Sequence, residues 1–199
     1  EFILFDACYM ASVEGLYDVR GLSDYIIASS AEIMGTGFPY EDIIPILFSR
    51  EDHSLVEACE AYMDMYRESS GTISLIDCTK LENLAQVMSQ INQAEGEKLV
   101  DVSNIQPYEA FSTHLYFDFE QYVEALTSNE ELLSMFDEAL SDVVLFTDHT
   151  SQFFSAVGDE AYIDLPRSCG LTCYVYQPGC ENTHAAYLQT SWAKAVGAY

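Results

Sequence analysis

The chain has 199 residues, 49% of them hydrophobic and 20% charged, and its 33 acidic against seven basic side chains leave a formal net charge of −26. That length and composition suit a globular unit with a full core rather than a disordered chain, and 1–199 reads as one domain without repeat, low-complexity tract or linker. So acidic a balance excludes nucleic acid and anionic membrane as partners, since both need basic patches, and no apolar run reaches the length of a membrane span.

Residues 2–5 are an apolar run of strand length, stopped by Asp6 and followed at once by Cys8. Apolar side chains at Met10, Val13, Leu16 and Tyr17 recur at helical spacing and predict a helix over 9–19. Cys8 then falls on a strand-to-helix turn. Reacting groups gather at the carboxyl ends of strands in open α/β sheets. Helix N-terminal N–H groups at such a turn can lower a thiol's pKa or hold an oxyanion. A buried structural cysteine is the plainer alternative, because free Cys is among the most buried residue types.

Gly21 and Ser23-Asp24 end that helix, and 25–28 reads as a second buried strand. Residues 29–40 follow as a long turn, with Gly35 and Gly37 flanking Thr36 and Pro39 braking the chain, a suitable wall for a substrate. Helices are predicted over 41–48, 55–66 and 80–94, with a strand over 72–76 and a cap at 77–79. The pattern weakens over 95–113, read as irregular chain with a short turn of helix. Beyond it come helices over 119–126 and 130–140, a strand over 143–147, an edge strand over 171–176, and a closing helix over 183–196 with Trp192 inward. This alternation is that of an α/β protein.

The six cysteines, Cys8, Cys59, Cys78, Cys169, Cys173 and Cys180, are too sparse for a disulfide framework. Cys169, Cys173, Cys180 and His184 lack the paired spacing of a strong zinc signal, so one disulfide or buried thiols are preferred and no metal is assigned.

The segment 6–14, Tyr17, 23–30 and then Glu32-Ile33-Met34-Gly35-Thr36-Gly37-Phe38-Pro39-Tyr40 resembles the clostripain family of cysteine peptidases. The likeness continues more loosely at 72–77, Lys80-Leu81, 116–119, 169–175 and 188–195. It implies a caspase-like, mostly parallel sheet with helices on both faces, whose first strands lie outside this chain. It implies an endopeptidase with Cys8 of the Asp-Ala-Cys turn as nucleophile, cleaving after Arg or Lys, and a substrate site holding Asp6, Ser30, Glu32 and Thr36. The family's cleaved precursor would leave this chain as the heavy chain, and its light chain would be the partner. Relatives are exported by bacteria, which implies a secreted or cell-envelope protein. No cofactor is called for, and the calcium need of some members is not readable here.

A basic side chain before the scissile bond needs a carboxylate at the base of its pocket. Asp6, two residues before Cys8, is well placed, though it could equally cap the following helix. Some relatives carry a second acid in the glycine turn, where this chain has neutral Thr36; Glu32 is the substitute. The family's base is a histidine upstream of the cysteine and followed by glycine. None of His53, His114, His149 and His184 is so placed; His149 is the best of them. A catalytically inactive binding module and another thiol chemistry, such as acyl transfer, are the competing functions.

Overall fold

The structure is a computed structural model that describes residues 1–49, 51 and 53–198. Its centre is a four-stranded sheet of β1 (Phe2–Leu4), β2 (Tyr25–Ala28), β3 (Thr72–Asp77) and β5 (Val144–His149), in the order β1-β2-β3-β5. Strands β1, β2 and β5 point one way and β3 runs against them. The sheet is thus mixed, with three strands in one direction and one against them. By register β1–β2 is parallel, while β2–β3 and β3–β5 are antiparallel. The carboxyl ends of β1, β2 and β5 therefore share one edge of the sheet with the start of β3.

Side chains alternate across the pleat, and this splits the core in two. Ile26, Ala28 and Ile76 face one side, where they join α1 (Val13–Val19), α4 (Leu81–Glu95), α5 (Phe119–Leu126), α6 (Glu130–Val143) and α8 (Ser191–Val196). Ile27, Ile73 and Leu75 face the other, packed with Phe38, Ile43, Ala58, Tyr62 and Met63 from α2 (Tyr40–Leu47), α3 (Ser54–Tyr66) and the loop before them. Helices on both faces follow from strands that are apolar on both sides.

Two small antiparallel sheets complete the fold. β4 (Tyr116–Asp118) pairs with β8 (Thr172–Tyr174), and β6 (Gln152–Ser155) pairs with β7 (Ala161–Asp164). Strand β8 is buried along its length, so the expected edge strand over 171–176 is instead a covered strand of a separate sheet. It is tied to the central sheet at Gly170, whose carbonyl accepts from the Ser30 hydroxyl at 2.7 Å and the Ser74 hydroxyl at 2.8 Å. Gly170 has φ +87°, and a Cβ there would stand 2.6 Å from Ser74 Oγ, so only glycine fits.

Three other expectations are corrected. The first helix starts at Val13, not at residue 9, because Ser12 caps it by accepting from Gly15 N–H at 3.3 Å. The closing helix over 183–196 is broken into α7 (Glu181–Tyr187) and α8; Thr190 turns extended and its hydroxyl accepts from Ala193 N–H at 3.1 Å, opening a new helix. Past Glu95, the last residue of α4, residues 96–113 have turns but no helix.

Candidate active site

Strand β1 stops at Leu4, and the chain does not pass straight into a helix. Residues 5–12 form a loop laid against the end of β2 and the segment that follows it. Phe5 N–H donates to Ile27 O at 2.9 Å, Tyr9 N–H to Ala31 O at 3.0 Å and Ala11 N–H to Ser29 O at 3.0 Å. Thr172 N–H of β8 donates to Ala11 O at 3.0 Å and closes the loop from the other side. The helix N-terminus expected beside Cys8 is thus displaced by four residues to the Ser12 cap.

Cys8 is exposed. Its sulfur accepts from the Ile33 N–H at 3.3 Å and lies 3.8 Å from Ile33 O. The donor comes from the loop after β2 rather than from a helix end. The next residue, Tyr9, has φ +61° and is the one non-glycine residue with positive φ among those described. A bulky residue held there costs roughly 1–2 kcal/mol, so its surroundings must hold it.

Asp6 is exposed beside Cys8, and its Oδ2 accepts from the Tyr40 hydroxyl at 2.8 Å. Burial, followed by the Asp6 contact, pushes the Tyr40 phenol above its ordinary pKa, which keeps it a donor. Helix α1 is capped by Ser12, so Asp6 does not serve as the cap. Gly37, with φ +67°, closes over this carboxylate: a Cβ there would lie 2.6 Å from Asp6 Oδ2. Thr36 is exposed, with Oγ1 2.5 Å from the Tyr66 hydroxyl. Tyr66 gives its proton to Gly37 O at 2.6 Å, so Thr36 is the donor in that pair.

Ser30 is 1% exposed and its hydroxyl is committed to Gly170 O, which leaves its side chain enclosed. Glu32 Oε1 accepts from the Tyr9 hydroxyl at 2.8 Å, the Ser155 hydroxyl at 2.9 Å, and the Ala156 and Val157 N–H groups at 2.6 and 3.2 Å. The structure therefore gathers Cys8, Asp6, Thr36 and Glu32 around the loop after β2. It adds three residues not among the expected site residues, Tyr40 at the end of the family-like segment, Tyr66 and Ser155. Only tertiary contacts bring them there.

The four histidines have other partners. His53 Nε2 pairs with Glu57 at 2.9 Å, and His114 Nδ1 with the buried Glu109 at 2.6 Å. His149 Nδ1 meets Thr150 O at 2.9 Å, and His184 stacks with Tyr174 and Tyr187. His149 does end β5 on the same sheet edge as Cys8. Three strand spacings, roughly 14 Å, separate the ends of β1 and β5, and the His149 ring is held by its own loop.

All six cysteines are free, so no disulfide forms. Cys169 and Cys173 are buried, and burial first of all raises both thiols well above their ordinary pKa. Among the described residues no three His, Cys, Asp or Glu side chains gather as a metal site, and no helix is long and apolar enough to cross a membrane. Two concavities, of about 550 and 730 Å³, lie elsewhere; the second includes Tyr40, the partner of Asp6, but neither is lined by Cys8.

The site is thus an exposed thiol in the loop that follows β1 of an α/β fold, accepting a backbone N–H and standing two residues from the exposed Asp6 carboxylate. The chain belongs to the clostripain family of cysteine peptidases (peptidase C11), whose sequence profile matches residues 1–186. No curated protein matches it. Three solved structures are similar. An inactive zymogen C11 protease from Parabacteroides distasonis has a TM-score of 0.90 and 30% identity over 98% of this chain, which spans only 58% of that protein's chain. A B. fragilis cysteine protease has a TM-score of 0.91 at 26% identity, covering 98% of this chain and 86% of that one. A clostripain from Bacteroides thetaiotaomicron ATCC 29148, solved with the peptide inhibitor BTN-VLTK-AOMK, has a TM-score of 0.85 at 30% identity, again covering 98% and 86%.

Proposed function

We propose that the chain is the cysteine-bearing part of an endopeptidase that cleaves after Arg or Lys, with Cys8 as the nucleophile. The observation that carries this is the exposed Cys8 sulfur, which accepts the Ile33 N–H at the carboxyl end of β1 in a family turn. The thiolate attacks the scissile carbonyl, an acyl-enzyme forms as the amine leaves, and water releases the acid. Asp6, held by Tyr40, supplies the counter-charge for the basic side chain. Thr36 forms the wall opposite without adding charge.

The proton acceptor is a histidine outside residues 1–199, on a segment that pairs with the outer edge of β1. Two features support this: the four histidines are engaged elsewhere, and β1 is an edge strand of the central sheet. That segment is the proposed light-chain partner. One relative is described as a secreted C11 protease, which supports an exported protein here. The competing reading, an inactive binding module, rests on the same missing base.

The test is an irreversible acyloxymethyl ketone peptide ending in Lys, applied to the protein assembled with its upstream segment. We expect the label on Cys8 alone and no turnover in Cys8→Ala. Turnover retained in Cys8→Ala removes the assignment; no labelling and no turnover in the assembled wild type leaves the binding module.

A further inference from the structure

We infer that Glu32 is a positioning residue for the nucleophile, clamping the Cys8–Tyr9 turn and the Ile33 donor together, and is not a counter-charge for substrate. This rests on Cys8 being the nucleophile.

One carboxylate oxygen, Glu32 Oε1, collects four donors from two separate stretches of chain. The Tyr9 hydroxyl comes from the nucleophile loop; the Ser155 hydroxyl and the Ala156 and Val157 N–H groups come from the end of β6 and the turn after it. That oxygen is filled, which leaves Oε2 alone to meet a substrate guanidinium or ammonium group. The four bonds to Oε1 hold the backbone on both sides of the sulfur. On one side is Tyr9, adjacent to Cys8 and kept at φ +61°. Besides the Tyr9 N–H bond to Ala31 O, its anchor is the phenol on Glu32 and Ser155. Burial, with Glu32 adding to it, raises the Tyr9 phenol far above its ordinary pKa, so it remains a donor. On the other side, the N–H that reaches Cys8 Sγ belongs to the peptide unit joining Glu32 to Ile33. Fixing the Glu32 side chain thus fixes the direction of that N–H.

Two roles for Glu32 predict opposite signs. A clamp aims a donor at sulfur, so its loss weakens the thiolate. A nearby negative charge opposes the thiolate, so its loss strengthens it. Iodoacetamide separates them, because it is small and neutral and reads the thiol rather than the substrate pocket. Alkylation is followed at Cys8 by peptide mass in the full chain. In Glu32→Ala the rate at neutral pH falls about tenfold and the midpoint of its pH profile moves up by about one pH unit, the effect of one lost hydrogen bond to a charged group. Glu32→Gln keeps an acceptor oxygen and recovers most of that loss. Tyr9→Phe removes one of the four donors and shows part of it. In the assembled peptidase, Glu32→Ala lowers kcat for Arg and Leu substrates alike and leaves their ratio unchanged.

A midpoint that moves down in both Glu32→Ala and Glu32→Gln, or a selective loss of kcat/KM on Arg and Lys substrates, overturns the inference. So does an unchanged alkylation profile in a folded Glu32→Ala. Should that variant not fold, Tyr9→Phe decides: an upward midpoint supports the clamp, and an unchanged or lowered one overturns it. Alkylation needs no turnover, so an assembled protein without peptidase activity that still shows the upward shift removes the peptidase reading while the clamp on the Cys8 thiol stands.

Discussion

Two acidic residues with opposite surroundings show what single side chains do in this protein. Asp6 is exposed, hydrogen-bonded to Tyr40 and roofed by Gly37. A desolvated charged contact to Arg contributes a few kcal/mol, so Asp6→Asn should lower kcat/KM for Arg and Lys substrates about a hundredfold and leave Leu substrates nearly unchanged. Matched substrates differing only in that residue measure it, and a retained basic preference would move the counter-charge to another acid. Glu14 is the reverse case, 8% exposed, with Oε1 accepting from Tyr174 N–H at 2.8 Å and Oε2 without a hydrogen-bond partner. Burial pushes its pKa up to about 7 from 4.5. The unfolded chain therefore loses this proton near pH 4.5 while the native chain keeps it to about pH 7, so the native state binds more protons between those values. Stability falls as pH rises across that window, by about 3 kcal/mol, and is flat above it. Glu14→Gln should remove that slope and be the more stable protein at pH 8, as urea midpoints at acid and alkaline pH would show.

Among the elements, the loop after β2 carries most of the site. It supplies the Ile33 N–H to sulfur, Glu32 to the Tyr9 turn, and Gly37 over Asp6. Its shape depends on Gly37 at φ +67°, which no side chain adopts without strain. Gly37→Ala adds a Cβ 2.6 Å from Asp6 Oδ2, so the carboxylate or the loop must shift. The expected result is a loss of about 1–2 kcal/mol in stability together with a larger loss of kcat/KM on Arg than on Leu substrates. Equal losses on both would show that the loop acts on the nucleophile and not on the pocket. Helix α1 has a different task. Its cap at Ser12 and the Thr172 N–H bond to Ala11 O anchor the far end of the Cys8 loop, so β8 also helps to place the thiol.

At the scale of the whole molecule, the central sheet ends at β1, and the thiol beside that edge has no histidine partner among the described residues. The chain expressed alone should show no peptidase activity, and supplying a segment that carries a strand and a histidine followed by glycine should restore it. Activity in the isolated chain would mean that one of its own histidines moves to the thiol, and His149→Ala would identify whether it is the one at the same sheet edge. The charge of −26 adds a second property: a cationic substrate is drawn to the acidic surface, and that attraction weakens with salt.

Local patterns determined the elements whose signal is local. The apolar run at 2–5, the buried strands at 25–28 and 72–76, and the stripe of Leu81, Leu84, Val87, Met88 and Ile91 stand in the fold as their periodicity predicts, because strands and long helices bury faces set by spacing alone. The turn Asp6-Ala7-Cys8 and the glycines around Thr36 were likewise legible, as was the family they belong to. The start of α1 was not, since Met10 sits at helical spacing yet hydrogen bonds from Tyr9 and Ala11 to the 29–31 segment pull those residues out of the helix. The hairpin β6–β7 was missed because its four-residue strands are too short to declare a period. The fate of Glu32 was the least readable. Sequence shows an acid near a nucleophile, and what it faces depends on Ser155 to Val157, more than 120 residues away, which only the folded chain brings to it.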